Sequence, residues 1–311
     1  RSSDLVLPTL SVSDATVVEG NSGVRDLAFV VSLSAAATGP VTVAYATANG
    51  TATTGRSPYS IAIDPTGTYA YVTNQGVNKV SQFRINSDGT LSALGTPVDT
   101  GSRPYQITAT GNYVYVANLA DAGTAGGVSQ YTISGTGELV PMSTPLVTTT
   151  TAVNGLGGAI GVAVNPAGTF AYVTNLFDQT IRRFSIGGTG ALTAVAETAL
   201  PTGVTPYPLS ISPDGQYAFW SNKGDDNITP CTFAVSGQLS CTPGFTTGTI
   251  DTQPQYAAVD PFSRYVYTVN YNGGAGGSVA QYLIGAGAAL TNLSPNTAAT
   301  GNGPFSITTT R

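Results

Sequence analysis

The sequence predicts an all-β fold in which one four-stranded unit repeats along the chain. Glycine and proline are abundant but dispersed, with 38 and 19 copies in 311 residues, as expected for a protein rich in turns. Hydrophobic residues make up 41% of the chain, and no long segment shows the 3.6-residue period of an amphipathic helix. The third observation is internal repetition at intervals of roughly 50 residues, which is typical of propeller and solenoid folds.

The repeat begins with a short apolar strand that usually follows a proline. Complete copies begin at Pro58, Pro104, Ala159, Pro206 and Pro254, and a sixth opens at Pro304 with the orphan strand 304–310. In the first copy, a turn containing Pro65 and Gly67 leads to a second strand of alternating aromatic and small residues. A third strand and a glycine-rich hairpin turn then lead to the fourth strand.

Four antiparallel strands that recur in this way predict the blades of a β-propeller. One blade cannot bury both faces of its sheet, so blades stack around an axis. Aromatic side chains of the second strand, such as Tyr69 and Tyr71, are expected to fill the core between blades. Five complete copies and the strand at 304–310 favour six blades, the sixth being shared by both chain ends, and they allow seven.

The end of the second strand carries the clearest family resemblance. It reads YVTN at 71–74 and 172–175, and YVAN at 115–118, after a turn of the P-x-G type. These motifs resemble the YVTN-repeat, lactonase-like β-propellers over residues 58–311. The resemblance implies a central channel at which the enzymes of this group gather polar side chains, often acids, arginine or histidine. The same scaffold also serves proteins that only bind, so fold alone does not assign a function.

The first 55 residues follow a different pattern, with strand candidates at 9–18, 27–34 and 41–48. Their motifs VVEGNSG and VTVAYATANGTAT resemble the first half of a Calx-β domain, an immunoglobulin-like sandwich that often binds calcium. The predicted domains are therefore a half-domain or strand-donating segment at 1–55 and a propeller at 56–311. The resemblance places an acidic ligand at Glu19, but one carboxylate cannot supply the roughly six to eight oxygens that calcium takes.

Composition excludes several classes of function. The chain has no histidine, which rules out a Ser-His-Asp triad and histidine-ligated zinc. Its net charge is −5 with 11 dispersed basic residues, so nucleic acid is not an expected partner. No apolar run approaches the roughly 18 residues of a membrane-spanning helix. No cofactor is expected.

Cys231 and Cys241 flank a turn at 236–237, so we predict a disulfide across a hairpin; the alternative is two half-buried thiols. A disulfide indicates an oxidising compartment, and we expect a secreted or cell-surface protein. Sequons at Asn49, Asn227 and Asn292 permit N-glycosylation.

Charged side chains near the expected channel are few. The loops between units carry Arg56, Arg103 and Asp251, which are candidates for an anion-binding central pocket or, alternatively, solvated rim residues. Asp225 and Asp226 are weak metal candidates, because their turn between strands two and three equally suits backbone hydrogen bonding. No pair of carboxylates recurs at fixed spacing, so general acid–base catalysis has no obvious carrier.

Missing histidine, a charged fraction of only 9% and an incomplete N-terminal domain together favour a non-enzymatic extracellular scaffold. In this interpretation the N-terminal strands complement a second copy, which builds a filament or surface layer. The expected partner is then the protein itself, with an extracellular protein or a glycan as further partners. The alternatives are a lactonase-type hydrolase, implied by the resemblance, and a carbohydrate-binding adhesin that uses exposed tyrosines and Trp220. Trp220 stands where other units have the threonine of YVTN, so we expect it to serve in packing rather than in binding.

Overall fold

The computed structural model describes residues 10–12, 31–33, 52–121, 126–149, 158–196, 200–242, 245–246, 253–271 and 276–309. The chain forms two compact units, Arg1–Asn49 and Gly50–Arg311. In the first unit, β1 (Leu10–Val12) pairs antiparallel with β2 (Val31–Leu33). Glu19, Asn49, Asp251 and the strand candidate at 41–48 lie outside the described residues.

The second unit contains, within its described residues, five antiparallel sheets that follow one another along the chain. Their first strands are β3 (Pro58–Ile63), β8 (Pro104–Thr110), β12 (Ala159–Val164), β17 (Ser210–Ile211) and β22 (Pro254–Val259). Their second strands are β4 (Tyr69–Asn74), β9 (Tyr113–Asn118), β13 (Phe170–Asn175), β18 (Tyr217–Asn222) and β23 (Tyr265–Asn270). Each second strand starts with an aromatic residue and ends with a buried asparagine, as the repeat predicted.

The outer half of each sheet is less regular. The third strands are β5 (Lys79–Ile85), β10 (Gly127–Ile133), β14 (Thr180–Ile186), β19 (Asn227–Phe233) and β24 (Ser278–Ile284). The fourth strand is continuous as β11 (Leu139–Thr148) and β25 (Leu290–Ala299), which follows a 3₁₀ turn at Ala286–Ala288. Elsewhere it is split into β6 (Leu91–Ala93) and β7 (Val98–Asp99), β15 (Leu192–Ala194) and β16 (Leu200–Pro201), and β20 (Leu239–Cys241) and β21 (Phe245–Thr246).

The five sheets are propeller blades, here numbered 1 to 5 in chain order, and consecutive blades pack face to face. Between blades 1 and 2, for example, Tyr71 and Val80 pack against Val114, Val116 and Tyr131. The predicted placement of second-strand aromatics in the core between blades is therefore confirmed. Burial of these large side chains on both faces of a sheet is the main stabilising term for such a stack.

A tyrosine–glycine hydrogen bond recurs between neighbouring blades. The second aromatic residue of the second strand donates its hydroxyl to a backbone carbonyl in the hairpin turn of the next blade. The pairs are Tyr71 to Gly137, Tyr115 to Gly190 and Tyr172 to Gly237, at 2.7, 2.6 and 2.5 Å. Each of these glycines has a left-handed backbone, with φ of 80 to 89°. The glycine of the hairpin turn thus belongs to the contact between blades as well as to its own turn.

The asparagine of the YVTN motif links strands two and three inside a blade. Asn74 and Asn118 are buried, and their side-chain amides donate to the Oγ atoms of Ser81 and Ser129, both at 3.0 Å. A buried amide requires such partners, because an unpaired polar group in the core is costly. The third strands of these two blades contain the sequence VSQ, at 80–82 and 128–130. The asparagine of the second strand and the serine of VSQ therefore form one structural contact.

The turn between the first two strands is held by one side chain. In blade 1 the Asp64 carboxylate accepts backbone N–H bonds from Thr66, Thr68 and Tyr69 at 3.0, 2.8 and 2.6 Å. Burial disfavours the charged carboxylate, but a hydrogen bond from the Thr66 hydroxyl and these backbone bonds outweigh it and lower the pKa of Asp64. In blade 3, Asn165 makes the equivalent bonds through one amide oxygen.

The orphan strand predicted at 304–310 differs from the structure, in which residues 304–309 carry no strand assignment. Phe305 lies beside Tyr59 and Tyr207, and the Thr309 hydroxyl donates to the carbonyl of Val259 at 2.7 Å. Closure of a sixth four-stranded blade by this segment is therefore not observed among the described residues. Apolar and aromatic contacts near the axis, rather than pairing with a sheet, hold this segment against the blades.

Candidate functional site

A proline–aromatic pair recurs at the entrance to the ring axis. The aromatic residues are Tyr59, Tyr105, Tyr207 and Phe305, and each follows a proline. Their rings gather into one cluster: Tyr59 and Tyr105 have centroids 3.9 Å apart, and Phe305 lies 5.5 Å from Tyr59 and 6.2 Å from Tyr207. The signal is present in the sequence as PY, PY, PY and PF, but the interpretation of these loops followed their charged residues and missed it.

These rings border a cavity of about 690 Å³. The lining consists of Tyr59, Ser60, Ile61, Ile63, Tyr105, Gln106, Ile107, Tyr207, Pro208, Tyr256, Phe305, Ser306, Ile307 and Thr308. First strands, or the segments leading into them, from blades 1, 2, 4 and 5 contribute, together with the segment 305–308. The described lining contains hydroxyl and amide groups but no aspartate, glutamate, lysine or arginine.

Gln106 and Tyr256 form the polar centre of this cavity. The backbone N–H of Val162 donates to Gln106 Oε1 at 2.9 Å, which fixes the orientation of the side-chain amide. Gln106 Nε2 therefore faces the Tyr256 hydroxyl at 3.1 Å and donates to it. Because the hydroxyl oxygen is the acceptor in this contact, its own proton is free to donate to a third group.

Gly161 of blade 3 makes this arrangement sterically feasible. A Cβ atom at this position would lie 2.8 Å from Pro208 Cα and 3.1 Å from Gln106 Oε1. Both distances are shorter than ordinary contacts, so a side chain here would displace the backbone of the next blade or the amide. Blade 3 can approach its neighbours closely at this point because Gly161 has no side chain.

Three tyrosines of the cavity, Tyr59, Tyr207 and Tyr256, have raised pKa values and are therefore neutral hydrogen-bond donors. Burial raises the pKa of Tyr256, and the hydrogen bond from Gln106 only partly opposes this shift. Burial also raises the pKa of Tyr59 and of Tyr207, with Tyr105 as a further cause in both cases. The Tyr59 hydroxyl is buried, and its ring lies against the ring of Tyr105.

The charged residues proposed for the pocket lie elsewhere. Arg56 and Arg103 are exposed, and neither lines the cavity. Arg103 has its Nε 3.9 Å from the Asp121 carboxylate, an exposed pair that contributes little stability. Both side chains are solvated, as the alternative to a central pocket expected. Asp251 lies outside the described residues.

Asp225 and Asp226 organise backbone. Asp225 accepts the N–H of Val204, and Asp226 accepts the N–H of Gln253, both at 2.6 Å. The two carboxylates thus tie a turn of blade 4 to the segments that enter blades 4 and 5. Across the ranges given above, no three aspartate, glutamate, cysteine or histidine side chains cluster as metal ligands would.

Cys231 and Cys241 form the predicted disulfide between β19 and β20, where they are directly paired. Of the sequons, Asn292 is exposed on β25, whereas Asn227 is half-buried and accepts a 2.7 Å hydrogen bond from Asn222.

Trp220 is fully buried between blades 3 and 4, so it is not available to a surface glycan. The described residues form no helix long and apolar enough to cross a bilayer.

Comparison with known proteins identifies the scaffold. The family model Lactonase, 7-bladed beta-propeller, matches residues 32–248. The putative 6-phosphogluconolactonase of Bacteroides fragilis NCTC 9343 is 21% identical, with a TM-score of 0.70 over 80% of this chain and 73% of that chain. The periplasmic gluconolactonase of Pseudomonas aeruginosa is 17% identical, with a TM-score of 0.52 over 80% and 87%. At these levels of identity, the two comparisons show similarity of fold alone.

A sequence relative is less informative. The uncharacterized protein YwcC of Lactococcus lactis is 28% identical over 59% of this chain and 55% of its own length. This chain therefore spans about half the length of that relative.

These comparisons correct one prediction and leave another without support. The self-assembling, non-enzymatic scaffold is wrong as the main interpretation, because the chain matches the lactonase family and the two structural neighbours named above are described as lactonases. The Calx-β resemblance of residues 9–55 finds no support, and the family match already begins at residue 32, inside that segment. The lactonase-like β-propeller identified from the YVTN repeat is confirmed. The chain belongs to the family of lactonases with a seven-bladed β-propeller.

Proposed function

We propose that the central cavity binds a sugar-type lactone and promotes its hydrolysis to the open hydroxy acid. The observation that carries the proposal is the Gln106–Tyr256 pair inside the axial cavity of a lactonase-family chain. Proteins of similar fold are described as a 6-phosphogluconolactonase and a gluconolactonase, whose common substrate element is the cyclic ester of a sugar acid.

The cavity offers both parts of a lactone-binding site. Its aromatic rings, among them Tyr105 and Tyr207, can pack against the apolar face of a six-membered ring. Its neutral donors can bind ring hydroxyls and the ester carbonyl. A cavity of about 690 Å³ is of the size that small-molecule sites usually have.

Tyr256 is the candidate hydrogen-bond donor to the lactone carbonyl oxygen. Addition of water to the lactone carbonyl places negative charge on the carbonyl oxygen, and a hydrogen-bond donor aimed at that oxygen lowers the barrier. The Tyr256 hydroxyl keeps its proton for this purpose because Gln106 occupies its oxygen. When the tetrahedral intermediate collapses, the ring C–O bond breaks, the ring oxygen takes a proton, and the product acid ionises to carboxylate.

The described lining carries no carboxylate that would act as a general base. The chemistry that these residues support is therefore electrophilic: they orient the lactone and stabilise charge on its carbonyl oxygen while water attacks. We expect a modest enhancement, of the size that one or two preorganised donors supply.

Replacement of Tyr256 by phenylalanine tests the proposal, because it removes the hydroxyl and keeps the ring. We expect kcat for D-glucono-δ-lactone to fall about 10²-fold, the usual cost of losing one such donor. Hydrolysis is followed by proton release in weak buffer, corrected for the spontaneous reaction.

Tyr113→Phe is the matched control. Its hydroxyl donates to Gly188 in the outer part of a blade, away from the cavity, and we expect unchanged kinetics. Equal rates for the wild type and Tyr256→Phe would contradict the assignment of Tyr256. Absence of turnover with every lactone tried would overturn the proposed function.

A further inference from the structure

We propose that the site selects lactones without a charged substituent and rejects their phosphorylated counterparts. This inference rests on the proposed function and adds the substrate class to it. Its basis is the chemistry of the cavity wall, where four isoleucines surround the hydroxyl and amide donors. They are Ile61, Ile63, Ile107 and Ile307.

A phosphate ester brings about two negative charges at neutral pH, and its binding sites are built from arginine, lysine or helix N-termini. The described lining of the cavity has none of these groups. Removal of a phosphate from water without a compensating cation is strongly unfavourable. A hydroxymethyl group in the same place needs only a neutral donor or acceptor, such as Ser60 or Thr308.

Two cations in neighbouring hollows, Lys223 and Arg264, interact with other partners. Lys223 lines a separate hollow beyond Tyr207, where its Nζ lies 5.4 Å from the centroid of the Tyr271 ring and Asp226 lines the same hollow. Arg264 lines a hollow beyond Ile307, and its guanidinium pairs with the Asp260 carboxylate at 3.3 Å. Neither side chain lines the lactone cavity, so neither balances a phosphate placed there.

The mouth of the cavity is apolar. Ile61 and Ile63 border it with exposed fractions of 58% and 56%, so they meet solvent on one side and the cavity on the other. Side chains at these positions would contact the substituent that a bound ring points outward. Because they are exposed, they can be replaced by polar residues at little cost in stability.

The experiment compares kcat/KM for D-glucono-δ-lactone and its 6-phosphate on the same protein. We expect the neutral lactone to be preferred at least tenfold. Ile61→Arg adds a cation at the mouth and is expected to raise the ratio of kcat/KM for the phosphorylated lactone to kcat/KM for the neutral one about tenfold over the wild-type ratio. Ile61→Gln, a polar replacement without charge, is the matched control and should leave the ratio near the wild-type value.

The outcomes separate the two proposals. Turnover of both lactones with equal efficiency, or a preference for the phosphorylated one, overturns the charge selection and leaves the lactonase proposal in place. A gain for the phosphorylated lactone with Ile61→Gln as large as with Ile61→Arg also overturns it, because polarity alone would then explain the effect. Absence of turnover for both substrates overturns the proposed function and this inference with it.

Discussion

Gln106 controls the direction in which the Tyr256 hydroxyl donates. The amide can do this because one end is fixed by a backbone N–H, which leaves only a donor for the tyrosine oxygen. A carboxylate in place of the amide would reverse the contact, since an ionised oxygen accepts only. The Tyr256 hydroxyl would then donate its hydrogen bond to residue 106 and could no longer donate it to a lactone. Gln106 is therefore a positioning residue in the proposed mechanism.

Gln106→Glu gives this role a distinctive pH signature. At neutral pH we expect kcat to fall about as far as in Tyr256→Phe. Below the pKa of the introduced carboxyl, which burial should raise above its usual value of about 4.3, the neutral acid can again donate to Tyr256. Activity relative to wild type should therefore recover as pH falls. A loss that is independent of pH would show that Gln106 acts only through packing.

The residue scale is where prediction from sequence was weakest. Arg56 and Arg103 were natural candidates because charge is rare in this chain, yet both are exposed and neither lines the cavity. The sequence did not single out Gln106 and Tyr256, because their role depends on a contact between strands 150 residues apart in sequence. The recurring proline–aromatic pair could have been recognised, since it repeats in register.

At the scale of the element, the hairpin glycines provide a comparison within the chain. Gly137 and Gly89 occupy equivalent turns with φ of 89 and 81°, so alanine is strained at both. At Gly137 a Cβ would also lie 2.1 Å from the ring of Tyr69 in the preceding blade, whereas at Gly89 it meets nothing within 4 Å. The difference between the two variants therefore isolates the contact between blades.

We expect Gly89→Ala to lower the free energy of unfolding by about 1–2 kcal/mol, from backbone strain. Gly137→Ala should cost about 1–3 kcal/mol more, because the packed ring must move. Urea denaturation followed by circular dichroism measures both. Equal losses would mean that the hairpin glycine serves its own turn alone.

The carboxylates in the first turns of blades 1 and 5, Asp64 and Asp260, should make an acid-sensitive contribution to stability. The pKa of Asp64 is lowered in the folded state because hydrogen bonds from the Thr66 hydroxyl and from the backbone outweigh the effect of burial, so the unfolded chain binds the proton more readily. The stability it contributes is present above the unfolded pKa of about 3.9 and is lost as pH falls through the lower folded pKa. The same sign holds for Asp260, whose pKa is lowered by backbone bonds that outweigh burial.

Asp64→Asn should therefore flatten the decline of unfolding free energy between about pH 5 and pH 2. Asparagine retains two of the turn's hydrogen bonds, as Asn165 does in blade 3, so the fold should persist. Urea midpoints at several pH values, with Asp64→Asn/Asp260→Asn as the stronger variant, provide the measurement. An unchanged slope in the double variant would contradict this origin of the pH dependence.

Elements were predicted well from sequence because their signals are local. Alternation of aromatic and small residues, turn glycines and the terminal asparagine repeat in register, and each reappears as a strand, turn or cross-strand contact. The segment after Pro304 was the exception. It has the sequence of a first strand, but strand formation also needs a neighbouring strand, which a local pattern cannot guarantee.

For the whole molecule, the described residues form five four-stranded blades, and the family to which the chain belongs is described as seven-bladed. The predicted ring of six or seven blades is compatible with that family. The filament hypothesis failed because it read low charge and missing histidine as the absence of chemistry. A cavity of neutral tyrosine and amide donors needs neither charge nor histidine to bind a lactone.

The most direct test of the central claim is the crystal structure of the protein with a non-hydrolysable lactam of the D-gluconolactone ring. The lactam ring should occupy the axial cavity against the aromatic cluster, with its carbonyl oxygen about 2.7 Å from the Tyr256 hydroxyl. Density for the lactam only outside the cavity, or a bound ring whose carbonyl faces away from Tyr256, would contradict the account.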